Sequence, residues 1–247
     1  MPLTHIPIQT SRLNDELDHL ATFSADPSPA VTRLVFSAQD QAARAWLKDR
    51  AREAGLALRE DAVGNTFFRW EGSEPALPAV ATGSHIDAIP HAGRFDGTVG
   101  VLGGLEALRA LKAAGFQPRR SLELILFTSE EPTRFGIGCL GSRLLSGTLG
   151  PEADNLLETT TETPDAAPRT LREVRESAGF HGDLATVRLA PGHYAAFVEL
   201  HIEQGPLLEA EGLPLGLVTA IAAPASDRIL LEGEGGHAGA RLMPGRR

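Results

Sequence analysis

Three short segments of the chain gather the side-chain types that bind metal ions or move protons. The first, ATGSHIDAIPHAGRFDG, places His85, Asp87 and Asp96 after an apolar run. Neutral imidazole and carboxylate groups are ligands that Zn²⁺ and Mn²⁺ prefer, and Asp87 is near enough in sequence to orient the His85 ring. A simpler explanation is that His85 caps a turn and Asp96 caps a helix that begins near Thr98. Taken alone, Asp96 favours that capping explanation.

The second segment, LFTSEEPTRFGIGC, places Glu130 and Glu131 next to each other after an apolar run. Adjacent carboxylates repel each other, so this pair needs either a cation or a raised pKa. One of the two could bind a metal ion while the other holds a proton. An exposed acidic turn is the alternative. The flanking sequences are typical of a buried strand and a following helix, and they favour a site.

The third segment, AAFVELHIEQGPLLE, ends an apolar run with His201, Glu203 and Gln204. The two-residue period of a strand would place Glu199, His201 and Glu203 on one face. An edge strand with one solvated face explains this pattern equally well. The three segments together supply the His, Asp and Glu ligands of a binuclear hydrolytic centre, in which one carboxylate bridges two ions and a free Glu acts as base. That combination is much stronger than any one segment.

The elements between these segments alternate between strand and helix patterns. We predict buried strands over Ala79–Ser84 and Ser121–Thr128, with a helix over Gly97–Ala114 between them. This βαβ unit indicates an α/β fold with a mixed, mainly parallel sheet flanked by helices. The polar segments follow the carboxyl ends of the strands, where open α/β sheets place their sites. The fold therefore explains how distant segments can form one centre.

The sequence pattern changes after Gly212. LPLGLVTAIA and DRILLEGEGG are typical of two strands joined by a turn. We therefore predict a catalytic metal-binding domain over residues 1–212 and the beginning of a smaller α+β domain over residues 213–247.

Charge, cysteine content and hydropathy exclude several classes of protein. The chain has 32 acidic and 23 basic residues, a net charge of −9 that argues against a nucleic-acid partner. The single Cys139 excludes an internal disulfide and a cysteine-based zinc site. No apolar run is long enough for a membrane span, and the N-terminus lacks the pattern of a signal peptide. We expect a cytoplasmic protein that binds neither nucleic acid nor membrane.

Four motifs, found in a fixed order from about Ala42 to the last residue, resemble a known family. They are GSHIDAIPHAGRFDGTVGVLGGLEAL, LFTSEEPTRFGIGCLGSRLL, ELHIEQGPLLE and GGHAGARLMPGRR. The resemblance is to the hydantoinase/carbamoylase-type di-metal amidases, relatives of the aminoacylases. It implies a di-zinc exopeptidase-like catalytic domain, a smaller lid domain, and a homodimer formed through that lid.

The same resemblance implies two divalent ions in each active site, either Mn²⁺ or Zn²⁺. It makes His85 and His201 ligands of the first ion and Glu131 a ligand of the second. Asp96 is implied to bridge the two ions. Members of the family continue past MPGRR and supply one more His for the second ion, so this chain resembles the front part of a longer enzyme.

The resemblance also implies roles for residues that do not bind metal. Glu130 would be the general base, and Asp87 would hold His85. Gln204 would contact the ureido or carboxylate end of the substrate. His237, in GGHAG, would reach an active site from the lid domain and help to stabilise the tetrahedral oxyanion.

The implied substrate is a small ureido acid. SEEPTRFGIGCLGSRLL and GSHIDAIP are most similar to the branch of the family that hydrolyses ureidoglycolate, and the allantoate and N-carbamoyl-L-amino-acid branches are the alternatives. The segment HAGRFDG departs from the Gly-rich turn of many relatives but keeps Asp96. The alternative of another class is a non-catalytic fragment or a metal- or ligand-binding protein that keeps only part of the centre.

Overall fold

A computed structural model of the chain describes residues 6–159 and 167–222. Its contacts divide the chain into two units, Met1–Gln204 and Gly205–Arg247. All of the strands described below belong to the first unit. The assignment of residues 1–212 to a catalytic domain and 213–247 to a lid domain stays a prediction.

The first unit contains seven strands and five α-helices within the described residues, and the second contains one short helix. The strands are β1 (Val31–Arg33), β2 (Ala57–Glu60), β3 (Thr66–Trp70), β4 (Ala79–Ser84), β5 (Ala88–Ala92), β6 (Leu122–Leu126) and β7 (Tyr194–Val198). The helices are α1 (Thr10–Ala21), α2 (Ala38–Glu53), α3 (Thr98–Ala113), α4 (Leu140–Ser146), α5 (Leu171–Ser177) and α6 (Leu207–Ala210).

Five of the strands form one mixed sheet in the order β2-β3-β6-β4-β7. Strand β4 pairs in parallel with β6 and with β7, whereas β3 is antiparallel to both of its neighbours. Only β3 therefore runs against the direction of the other four strands, which confirms the mixed, mainly parallel sheet. Strands β1 and β5 form a separate antiparallel pair.

Helices cover both faces of this sheet because its central strands are apolar on both faces. In β6, Leu124 and Leu126 belong to the cluster that includes α1, α2 and α3, whereas Ile125 points into the cluster that includes α4 and α5. All three side chains are almost completely buried. Burial of a side chain of this size contributes roughly 1.5–3 kcal/mol. The sheet is therefore a rigid support for the loops at its carboxyl edge.

The structure confirms the central βαβ unit and corrects two predictions about strands. Strand β4 has the predicted bounds, and α3 begins and ends one residue inside its predicted limits. Strand β7 ends at Val198, where its pairing with β4 ends, so Glu199, His201 and Glu203 are not consecutive members of one strand face. After Val198 the chain leaves the sheet.

The predicted strand LPLGLVTAIA is wrong for the described residues 213–222, which have no strand. A strand needs a partner that satisfies its backbone hydrogen bonds. The partner that we predicted, DRILLEGEGG, lies outside the described residues.

In the described part of the chain, no helix is long and apolar enough to cross a membrane.

Candidate metal centre

The predicted site residues meet at the carboxyl edge of the sheet. His85 directly follows β4, the pair Glu130–Glu131 follows β6, and His201 follows β7. Because these three strands are parallel neighbours, their carboxyl ends lie side by side. This is the edge at which open α/β sheets form their binding sites. The topology thus brings together residues that are far apart in sequence.

The cluster His85–Asp96–His201 has the geometry of a metal site. One ligand atom of each residue lies within 4.8 Å of the other two. The Asp96 Oδ1 atom is 3.2 Å from His201 Nε2 and 3.9 Å from His85 Nε2. The two imidazole rings stack with their centroids 6.1 Å apart. Two imidazoles and one carboxylate fit Zn²⁺ or Mn²⁺, so these residues suit the predicted first ion.

The turn before α3 keeps this cluster open. Gly97 has a φ of +64°, a positive value that residues other than glycine rarely adopt. A Cβ atom at this position would overlap the His85 ring. Gly97 rather than Asp96 is the N-cap of α3, and no side chain caps the helix. The capping explanation of Asp96 is therefore wrong, and its carboxylate is left for the cluster.

Asp87 joins the His85 loop to the Glu130–Glu131 loop. Its side chain is 1% exposed, and its carboxylate accepts hydrogen bonds from the backbone N–H groups of Glu130 at 3.2 Å and Glu131 at 3.0 Å. His85 Nδ1 is 2.9 Å from the backbone carbonyl oxygen of Asp87 but 3.7 Å from its carboxylate. The carbonyl group therefore orients the ring, and the carboxylate holds the glutamates. The structure thus places Asp87 beside His85, with the contact made by its carbonyl group.

The buried setting changes the protonation of this part of the site. Burial opposes the charged form of His85, but the carboxylates of Asp87 and Glu130 outweigh it and raise the pKa of the imidazole. Burial also raises the pKa of Asp87, and the charge of His85 partly offsets that effect. The carboxylate charges thus dominate the shift of His85, whereas burial dominates the shift of Asp87.

Glu130 and Glu131 face the cluster in different ways. The Glu130 Oε2 atom is 3.7 Å from His85 Nε2, which places one carboxylate oxygen beside the candidate metal site. Burial, followed by the charge of Glu130, raises the pKa of Glu131 to about 7. This is the raised pKa that we expected for two adjacent carboxylates. Glu131 is not a member of the three-residue cluster, so its role as a ligand of a second ion stays a prediction.

Gln204 contacts the carboxylate oxygen of Asp96 that does not face His201. Its Nε2 atom donates a hydrogen bond of 2.9 Å to Asp96 Oδ2, so both carboxylate oxygens of Asp96 have a partner. This position is compatible with the predicted contact to a substrate. His237 lies outside the described residues.

Two contacts at the site were missed by sequence reasoning. Ser84 donates a hydrogen bond of 2.7 Å to Glu199, which ties the end of β4 to the chain that leads to His201. The thiol of Cys139 donates to Glu130 Oε1 at 3.3 Å. The pattern gave a weak signal for Glu199, which we placed on the same face as His201, and none for the pair Cys139–Glu130.

A family model described as peptidase family M20/M25/M40 matches residues 81–238, which include every residue predicted for the site. The chain belongs to this family. The match begins in β4, the strand that His85 directly follows, so the matched residues include the whole candidate metal centre.

Individual curated proteins are also similar to this chain. The ureidoglycolate hydrolase of Arabidopsis thaliana is 56% identical over 243 residues, which are 97% of this chain and 50% of the relative. The N-carbamoyl-L-amino acid amidohydrolase of Geobacillus stearothermophilus is 41% identical over 241 residues, 97% of this chain and 57% of the relative. These matches confirm the predicted resemblance to the hydantoinase/carbamoylase-type amidases.

The fold agrees with a solved structure. The crystal structure of AtUAH in complex with glyoxylate has a TM-score of 0.84 and 52% identity, and the match covers 99% of this chain and 58% of that chain. This similarity confirms the α/β fold class. The chain spans about half the length of the ureidoglycolate hydrolase that it matches.

Proposed function

We propose that this chain forms the metal-binding part of an amidohydrolase that cleaves a linear C–N bond of a ureido acid. The observation that carries the reaction class is the position of Glu130 Oε2 beside the cluster His85–Asp96–His201. The preference for ureidoglycolate rests on the 56% identity to the ureidoglycolate hydrolase of Arabidopsis thaliana. The products would be glyoxylate, ammonia and carbon dioxide.

Two divalent ions, Mn²⁺ or Zn²⁺, complete the proposed site. His85, Asp96 and His201 would hold the first ion, and their two imidazoles and one carboxylate, all within 4.8 Å of one another, support this. Asp96 and Glu131 would contribute to the second. Bound metal supplies a lowered water pKa and polarises the substrate oxygen, which a ureido carbon needs because it is a poor electrophile.

Side chains of the protein would transfer the proton and position the reacting groups. Glu130 would take a proton at Oε2 and deliver it to the leaving nitrogen, a role that typically contributes a factor of about 10²–10⁴ in rate. Asp87 would keep Glu130 in place through the backbone hydrogen bond. Gln204 would bind the ureido or carboxylate end of the substrate, and His237 would stabilise the oxyanion.

An assay of ammonia release tests this function. The full-length gene product is incubated with Mn²⁺ or Zn²⁺ and with ureidoglycolate, allantoate or N-carbamoyl amino acids in parallel. We expect metal-dependent turnover that is fastest with ureidoglycolate and at least about 100-fold slower in Glu130→Gln. Metal binding without turnover of any substrate would reject the proposal in favour of a binding protein.

The N-carbamoyl-L-amino acid hydrolase activity is the second candidate, because a relative of that name is 41% identical. Faster turnover of an N-carbamoyl amino acid than of ureidoglycolate would favour it. Allantoate hydrolysis is tested in the same series.

We also propose a cytoplasmic homodimer formed through the lid domain. Light scattering of the full-length product would test whether it is a dimer.

A further inference from the structure

Cys139 contacts Glu130 through both its backbone and its side chain. The Cys139 N–H group donates a hydrogen bond of 2.7 Å to the carbonyl oxygen of Glu130. The Cys139 thiol donates to Glu130 Oε1 at 3.3 Å. The other carboxylate oxygen of Glu130, Oε2, faces His85 Nε2. The two oxygens of one carboxylate are thus divided between the thiol and the metal centre.

The backbone around Cys139 fixes the thiol relative to Glu130. Cys139 is the N-cap of α4, and the next two residues donate hydrogen bonds from Leu140 to Ser129 at 2.9 Å and from Gly141 to Thr128 at 2.8 Å. The start of α4 is therefore bound along the loop that leads from β6 to Glu130. The thiol has little freedom to move away from the carboxylate.

Neither packing nor helix capping explains a cysteine at this position. Cys139 is exposed and has a φ of +56°, a left-handed conformation that favours Gly or Asn. At a helix N-cap, Ser, Thr, Asp and Asn are preferred because they cap with an oxygen, and the Cys139 side chain makes no capping hydrogen bond. The side-chain hydrogen bond that Cys139 does make is directed to Glu130.

We propose that Cys139 is a positioning residue for Glu130: its S–H group holds Oε1 so that Oε2 points at the metal centre. This inference rests on the proposed role of Glu130 as the base. A glutamate has several side-chain rotamers, and a donor that fixes one oxygen increases the fraction of molecules in which the other is aimed correctly. The residue is exposed as a whole, but partial burial of its sulfur atom and the hydrogen bond to Glu130 raise the pKa of the thiol to about 11, so it remains a donor at neutral pH.

The contact is tested by thiol reactivity in the 247-residue chain. Cys139 is the only cysteine, so reaction with Ellman's reagent at pH 8 in the presence of a chelator reports this residue alone. Glu130→Gln removes the charge that the thiol faces and should speed the reaction by roughly threefold for each unit by which the thiol pKa falls. Glu131→Gln, a change of the same charge in the adjacent residue, is the matched control and should have a smaller effect. Equal rates in the parent and both variants would overturn the contact.

The positioning role is tested in the metal-loaded, full-length protein. We expect Cys139→Ala to lower kcat by about tenfold with KM and metal content unchanged, because the base is misaligned but still present. Cys139→Ser should recover part of that loss, since a hydroxyl group also donates. An unchanged kcat in Cys139→Ala, or a loss explained by lower metal content, would overturn the role. Absence of turnover in the parent protein would instead refute the proposed function, while the thiol rates still decide the contact.

Discussion

Substitution of Gly97 by Ala should weaken metal binding strongly while the sheet still folds. A Cβ atom at position 97 would lie 2.6 Å from His85 Cε1 and closer still to two other ring atoms. Ordinary contact begins at about 3.4 Å, so the ring must retreat by about 0.8 Å at Cε1 and by more at the two closer atoms. Metal–ligand distances tolerate changes of only about 0.2 Å. His85 would therefore be lost as a ligand in its present position.

The expected magnitudes follow from this displacement. The positive φ of position 97 should lower the free energy of unfolding by about 1–3 kcal/mol once the residue carries a Cβ atom. We expect Gly97→Ala to lower the affinity for Zn²⁺ or Mn²⁺ by at least about 10–100-fold, the loss typical of a disturbed metal-ligand environment. Isothermal titration calorimetry would measure the affinity, and urea unfolding without metal would measure the cost to the fold.

Gly93→Ala is the matched control. Gly93 lies in the same loop, and a Cβ atom there would have no neighbour within 4 Å. This variant should keep the parent's metal affinity and stability. If Gly97→Ala bound metal as tightly as Gly93→Ala, His85 would not be a ligand held in the described position, and the reasoning from the ring geometry would be refuted.

Three further predictions concern protonation, metal stoichiometry and the core. The pKa of Glu131 is about 7 in the folded chain, above its ordinary value of 4.5, so ionisation of this group should make the metal-free chain lose stability as the pH rises from about 4.5 to 7. We expect a loss of about 1–2 kcal/mol from this group after allowing for solvent screening, and Glu131→Gln should reduce the trend in urea titrations. A metal titration of the 247-residue chain should show at least one tight ion, since the described residues complete a three-ligand cluster, and the lack of any tight ion would contradict this. Arg175→Met should cost roughly 3–5 kcal/mol in urea unfolding, because Asp154 then keeps only the exposed Arg172 at 3.1 Å and the buried carbonyl groups that Arg175 contacts lose their donor. Arg119→Met, which breaks an exposed pair with Glu74, should cost less than about 1 kcal/mol.

The sequence was sufficient to predict the elements whose pattern is local. Strand Ala79–Ser84 is a short run of buried and half-buried residues between turn residues, so its bounds could be predicted to the residue. The positions of His85, Glu130 and His201 after three strands were enough to predict a common site, because parallel strands end at one edge. Those predictions needed no knowledge of side-chain conformation.

Contacts that depend on the path of a loop could not be predicted in the same way. Asp87 is two residues from His85, which indicates a contact, but the sequence does not say whether its carbonyl or carboxylate group makes it. The bond between Cys139 and Glu130 depends on a left-handed turn at a non-glycine residue, which has no reliable sequence signal. The end of β7 at Val198 depends on its pairing with β4 rather than on its own apolar run.

The double use of Asp87 limits how this centre can change. Its carbonyl group orients His85 while its carboxylate holds the backbone of Glu130 and Glu131, so a shift in one loop is transmitted to the other. Substitutions in the two loops should therefore show non-additive effects in double-mutant cycles. An engineer who wished to alter the metal preference would have to redesign both loops together, and random mutagenesis of either loop alone should yield few active variants.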